Sequence, residues 1–317
     1  MKYLHCANGD PLPMLGLGTW KSDAGEVYGA IREAIRIGYR HFDCASIYGN
    51  EVEIGTALAD AIAAGDVSRG ELWITSKLWN NSHKKEDVEP ALVKTLQDLG
   101  LSYLDLYLIH WPVAFNPQVS FPAVAADYLS LDEVPISQTW GALELCVKKG
   151  LTRHVGVSNF SACKLQEVLE YCTVRPEVNQ VELHPLLTQE KLKKFCDDNA
   201  ILLTAYSPLG SRDRAAAYKA KDEPDMLELG VIKEIAAAGN IEPAQVLLAW
   251  AINRGTAVIP KSVNPSRMRS NLVAADVELT DGEMDAISGL NRHYRYVKGG
   301  FFTGKGSPYT IGGIWDE

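Results

Sequence analysis

Short apolar runs alternate with longer stretches of helical periodicity eight times along the chain, and this alternation constrains the fold more than any single motif does. The apolar runs fall near residues 15–19, 39–43, 72–77, 104–110, 153–157, 178–182, 201–206 and 256–260 and read as strands. Helical patterns lie between them, among them Glu26 to Ile37, Glu51 to Ala64, Val88 to Leu99, Gln138 to Lys149, Leu165 to Tyr171 and Ala244 to Asn253. Strands that alternate with helices build a parallel sheet. Eight of them close most naturally into a barrel, since doubly wound sheets usually have fewer. The predicted fold class is therefore α/β, a (β/α)8 TIM barrel forming one domain over residues 1–317. Ahead of it, two short extended segments in residues 2 to 14 flank Asn8-Gly9, a dipeptide suited to a type I′ turn. They predict an N-terminal β-hairpin that plugs one end of the barrel.

Three connections are too long for ordinary strand-to-helix loops: Pro112 to Ile136, Pro208 to Leu229, and the tail from Asn291 to Glu317. The tail is rich in glycine and aromatics, with Tyr294, Tyr296, Phe301, Phe302, Tyr309 and Trp315. These segments are expected to wall a substrate pocket, against the plainer reading that they only pad the barrel.

Composition removes several function classes. With 46% hydrophobic and 22% charged residues, the chain has the makeup of an ordinary soluble protein. A formal net charge of −9 argues against nucleic-acid binding. No apolar run approaches about 18 residues. Asn8, Gly9 and Asp10 stand where a signal peptide needs its hydrophobic stretch, so a cytoplasmic protein with no membrane partner is expected. Cys6, Cys44, Cys146, Cys163, Cys172 and Cys196 are scattered without a CxxC pair, which reads as reduced thiols and no metal site.

The polar residues at the predicted C-terminal strand ends carry the chemistry. Asp43 ends the second strand, Lys77 the third and His110 the fourth, and Tyr48 lies in the loop after Asp43. Singly, each has a plain structural reading: an ion pair, a core histidine, a rim aromatic. Together they form a proton-donating site. A tyrosine titrates near about 10, and a buried ammonium lowers that value, so Lys77 is expected to activate Tyr48. Asp43 keeps Lys77 charged, and His110 holds a carbonyl oxygen beside the phenol.

Taken with their neighbours, these residues stand in familiar company. Met14-Leu15-Gly16-Leu17-Gly18-Thr19-Trp20, Gly38-Tyr39-Arg40-His41-Phe42-Asp43, Leu108-Ile109-His110-Trp111-Pro112, Gly156-Val157-Ser158-Asn159-Phe160, Asn179-Gln180-Val181-Glu182, Ala205-Tyr206-Ser207-Pro208-Leu209-Gly210 and Ile259-Pro260-Lys261-Ser262 follow one another in order. In this the chain resembles the aldo-keto reductase superfamily, in its aldehyde- and aldose-reductase-like branch, from Met14 to at least Asn271. The resemblance implies a catalytic tetrad of Asp43, Tyr48, Lys77 and His110, with Tyr48 the general acid. It also implies a nicotinamide cofactor held without a Rossmann domain, in keeping with the lack of GxGxxG after the first strand.

By the same resemblance, Gly18, Thr19, Trp20 and Asp43 line the cofactor, Ser158, Asn159 and Gln180 hold its carboxamide, and Tyr206 stacks on the nicotinamide. Ser207, Leu209 and Ser211 match the loop over the pyrophosphate, and Lys261, Ser262, Arg267 and Asn271 the adenosine end. Two cations near a helix start suit a 2′-phosphate, which favours NADPH/NADP+, with NADH the weaker alternative. Ser270 departs from the family, where many relatives carry an acidic or amide side chain. Trp20, Tyr48, Trp79, His110 and Trp111 are expected at the substrate, a small-molecule carbonyl bound by a monomer. Two rival readings are kept: a sugar or sugar-phosphate reductase using Arg295, Lys298 or Lys305, and a cofactor-sensing regulatory subunit.

Overall fold

The computed structural model describes residues 2–212, 214 and 219–317. Eight parallel strands lie side by side in chain order: β1 Leu17–Gly18, β2 His41–Asp43, β3 Trp73–Leu78, β4 Leu104–Ile109, β5 Thr152–Ser158, β6 Val178–Glu182, β7 Leu202–Tyr206 and β8 Ala257–Val258. The first and last strands close the ring. Leu15 pairs with Val258 and Gly18 with Lys261, and the Gly16 N–H donates to Val258 O at 2.8 Å. The arrangement is the expected (β/α)8 barrel.

Helices α1 Val27–Ile37, α2 Glu51–Ala63, α3 Lys85–Leu99, α4 Ile136–Lys148, α5 Ala162–Tyr171 and α6 Glu190–Asp198 follow the first six strands in turn. Two more, α7 Gly230–Gly239 and α8 Pro243–Asn253, precede β8, and α9 Pro265–Val273, α10 Asp281–Ser288 and the short α11 Ile311–Trp315 follow it. The pattern of α1 explains why it docks: Val27, Ala30, Ile31, Ala34 and Ile35 recur on one face and are buried. It ends where Gly38 takes φ +112°, a left-handed value that lets its N–H cap the last carbonyls. No single helix among the described residues is long and apolar enough to cross a membrane.

The hairpin forms between Tyr3–His5 and Pro11–Pro13, and Leu12 packs with Trp73, Leu106, Val178 and Ala257 against the N-terminal ends of the strands. Its turn differs from the expectation. Only Gly9 is left-handed, at φ +89°, while the Gly9 N–H closes onto Cys6 O. A type I′ turn needs two such residues, so the loop is a longer one ending in a glycine bulge.

Of the three long connections, Pro112 to Ile136 contains a small antiparallel pair, Ala114–Phe115 with Tyr128–Leu129. Positions 213 and 215–218, within Pro208 to Leu229, lie outside the described residues. The tail is fastened to the barrel by Glu182, whose buried carboxylate accepts the backbone N–H groups of Tyr296 (2.6 Å) and Val297 (2.7 Å).

Candidate active site

At the C-terminal end of the strands, Asp43 connects three walls of the barrel. Its Oδ2 accepts from Lys77 Nζ at 2.6 Å, its Oδ1 from Gln180 Nε2 at 2.6 Å, and its backbone oxygen from the Thr19 hydroxyl at 2.8 Å. Lys77 is fully buried, and its ammonium also donates to Cys44 O at 2.8 Å and to the Tyr48 phenol oxygen at 3.3 Å. An ammonium has three N–H bonds, so every one is assigned. Burial works against that charge, but Asp43 and Tyr48 outweigh it and raise the lysine's pKa.

Tyr48 sits on the single turn Ser46–Tyr48, which Gly49 ends at φ +71°. The loop is held because the Asn50 amide donates to Thr19 O at 3.0 Å. Its phenol corrects one expectation. Desolvation pushes Tyr48 up to about 12, and the lysine charge offsets only part of that rise, so the net shift is upward. Beside it, His110 meets the tyrosine ring edge-on, 5.8 Å between centroids. Burial, then Lys77 and then His83, hold this imidazole well below its ordinary pKa, and it is neutral.

The amides predicted around the cofactor form a chain. Asn159, left-handed at φ +64°, donates to His110 O (2.9 Å) and Ser158 Oγ (3.1 Å) and accepts from the Tyr206 hydroxyl (2.7 Å). Ser158 in turn donates to Gln180 O at 2.8 Å. Asp43, Tyr48, Lys77, His110, Thr19, Ser158, Asn159, Gln180 and Tyr206 therefore make one connected constellation. Ser207 lies in a turn with Gly210, and Leu209 and Ser211 line a separate cleft with Met226 and Tyr296. Lys261 joins Gly18 at the barrel seam.

On α9, Asn264 caps the helix, accepting from Arg267 N at 3.0 Å, and Ser262 Oγ accepts from Asn264 N. Asn271 is buried. Among the described residues, neither Lys261 nor Arg267 has a carboxylate partner, whereas Arg269 is spent on Glu33. Two exposed cations beside a helix start suit a phosphate group, so the donor set fits the predicted cofactor.

With these contacts in view, comparison with known proteins is decisive. The Aldo/keto reductase family model matches residues 14–292. The chain belongs to the aldo/keto reductase family. An aldo/keto reductase of Synechocystis sp. is 57% identical over the whole chain and 97% of its own length. Aldo-keto reductase family 1 member A1 of Mus musculus is 48% identical over 91% of this chain and 89% of the mouse protein. A solved aldose reductase from Schistosoma japonicum superposes with a TM-score of 0.88 at 37% identity, over 98% of this chain and 99% of the other. Aldo/keto reductases are oxidoreductases that typically use a nicotinamide cofactor.

The mouth beside His110 in this aldo/keto reductase is aromatic. Trp79 lies 5.1 Å from His110 and also meets Phe115, Phe121 and Phe302. Trp111 meets Phe301, Phe302 and Trp315. Trp20 stands at the rim, 42% exposed and 6.4 Å from the Tyr48 ring. The Pro112 loop and the tail thus converge beside His110. Sequence reasoning named the tail aromatics but missed the central position of Phe302, which ring spacing alone could not supply. Arg295, one of the cations considered for a phosphate, is buried and stacks on Trp315 at 3.6 Å while bonding Glu317.

Proposed function

We propose that this chain is an NADPH-dependent reductase of aldehydes, aldoses among them, in which Tyr48 donates the proton that completes the alcohol. The observation that carries this reading is the direction of one hydrogen bond. Lys77 donates to the phenol oxygen, so the hydrogen of Tyr48 is directed elsewhere and is available to a carbonyl oxygen. At about 12 the phenol stays protonated at neutral pH, and it is the neutral phenol that can give a proton. His110, being neutral, holds the carbonyl oxygen by a hydrogen bond without competing as the acid.

NADPH, when bound, supplies the hydride for the carbonyl carbon. Ser158, Asn159 and Gln180 would hold its carboxamide, the Tyr206 ring would lie against the nicotinamide, and Lys261 and Arg267 would take the phosphate. That pair of free cations supports NADPH over NADH. The buried wall of Trp79, Trp111, Phe115 and Phe302 excludes water and favours substrates with one polar end. Arg295 is engaged by the tail, which supports aldehydes over sugar phosphates. The complete tetrad favours turnover over a purely cofactor-sensing role.

Tyr48→Phe tests the assignment. Acid catalysis is worth roughly 10²- to 10⁴-fold, so turnover of an aromatic aldehyde falls by that order while NADPH still quenches tryptophan fluorescence. Retained turnover would show that another group supplies the proton.

A further inference from the structure

At the opposite end of the barrel, away from Tyr48, a second cluster is left unused by the chemistry above. Cys6 follows the first hairpin strand, His154 lies near the start of β5, and Glu177 stands immediately before β6. The Cys6 thiol, one ring nitrogen of His154 and one carboxylate oxygen of Glu177 lie within 4.8 Å of one another. We infer that these three residues bind one zinc-like divalent cation, which staples the hairpin to β5 and β6.

Donor chemistry is the first support: thiolate, imidazole and carboxylate are the ligand types zinc takes, and three protein ligands leave a fourth position for water. Orientation is the second. Asp10 Oδ2 lies 2.8 Å from His154 Nε2, so that nitrogen donates its hydrogen there, and Nδ1 is the ring nitrogen turned toward Glu177. Nδ1 lies 3.7 Å from Glu177 Oε2, too far for a hydrogen bond. Two ligands at about 2.0–2.1 Å from one tetrahedral ion sit about 3.4 Å apart, so this pair needs only a small closure.

Support from outside the ligand set is the third. Metal-binding histidines usually give their other ring nitrogen to a carboxylate, and Asp10 fills that place, itself held by Arg153 at 2.5 Å. The Ala7 N–H occupies Glu177 Oε1 at 2.5 Å, which turns Oε2 toward the cluster. Trp73 stacks on the imidazole at 5.5 Å and an interplanar angle of 19°. The scattered cysteines argued against a metal, because these ligands are far apart in sequence and only the hairpin brings them together. On coordination the cysteine S–H bond breaks, its proton passes to solvent, and the sulfur pair forms the bond to the ion.

Cobalt(II), titrated into the full-length protein, is the probe. At one equivalent a thiolate-to-cobalt charge-transfer band is expected, displaced by zinc. Cys6→Ser should remove the band, and Asp10→Asn should weaken cobalt binding about 10- to 100-fold while leaving aldehyde reduction unchanged. Absence of the band, or an equal band in Cys6→Ser, overturns the site and leaves a histidine paired with Asp10. Should Cys6→Ser fail to fold, Glu177→Gln decides: a loss of more than about tenfold supports the site, and unchanged affinity overturns it.

Discussion

Glu182 and Tyr296 are bonded across the barrel rim: a fully buried carboxylate at the end of β6 accepts the backbone N–H of a tail residue at 2.6 Å. The same carboxylate takes the Val297 N–H and the His184 ring, so one side chain positions the segment that carries Phe302 and Trp315 to the pocket. Glu182→Ala leaves two backbone donors unpaired, at a cost of roughly 1–3 kcal/mol each. The expected outcome is a lower unfolding midpoint together with a KM for aromatic aldehydes that rises more than kcat falls. A KM unchanged from the parent would show that the tail is held by other contacts.

Lys77→Met removes the partner of a buried Asp43, a change that costs about 3–5 kcal/mol in comparable pairs. It also removes the charge that moderates Tyr48, so the phenol's pKa climbs further. In the proposed mechanism alcohol oxidation needs the phenolate as proton acceptor, so its rate at a given pH should fall more than the rate of aldehyde reduction. Measuring both directions across pH tests this. Equal losses would separate the lysine from the tyrosine's titration.

His41, His83 and His110 are all buried, and desolvation lowers the pKa of each, His83 to about 3. In the unfolded chain each titrates near about 6.5. Below that pH the unfolded state binds protons that the native state refuses, so stability falls as pH drops, and the loss continues toward pH 3, where His83 charges. Each contributes a slope of up to about 1.4 kcal/mol per pH unit. Urea midpoints at a series of pH values should show this, and His83→Gln should make the slope shallower. An unaltered slope in that variant would place the acid sensitivity elsewhere.

Phe302→Ala opens the wall shared by Trp79, Trp111 and Phe115. Aromatic pairs add roughly 0.5–1.5 kcal/mol beyond simple burial, so kcat/KM for an aromatic aldehyde should fall about tenfold, with a short aliphatic aldehyde hardly affected. A parallel loss for both substrates would mean that the variant disturbs the tetrad instead.

Gly156→Ala should destabilise the fold. A β-carbon on this strand residue would stand 2.4 Å from Val178 O and 2.9 Å from Leu108 Cδ2. Overpacking of this kind costs about 1–3 kcal/mol, read as a lower thermal midpoint.

Much of this was legible because it repeats or is local. Strand β6, Val178–Glu182, coincides with the run predicted at 178–182, and α1 begins and stops within a residue of its predicted bounds, ahead of the left-handed Gly38. Asp43, Lys77 and His110 could be placed because side chains at strand ends of a barrel face one mouth. The hairpin turn was misread because Asn8-Gly9 fits two loop types, and the choice depends on contacts with Cys6 and Asp10. The shift of Tyr48 was read with the wrong sign because the lysine's charge is visible in sequence and the depth of burial is not. Phe302 and the Cys6 cluster depend on long-range packing, which no local pattern records.

The seam between β1 and β8 has one more consequence. Leu15 and Gly18 are among the first barrel residues to leave a ribosome, and Val258 and Lys261 are added only after seven strands are made. Closing so long a loop is the most entropically expensive pairing in the sheet, and such pairings form late. Until synthesis has passed Lys261, β1 and β7 are both open edges, so a nascent chain of this protein is most exposed to misassembly just before its ring is complete.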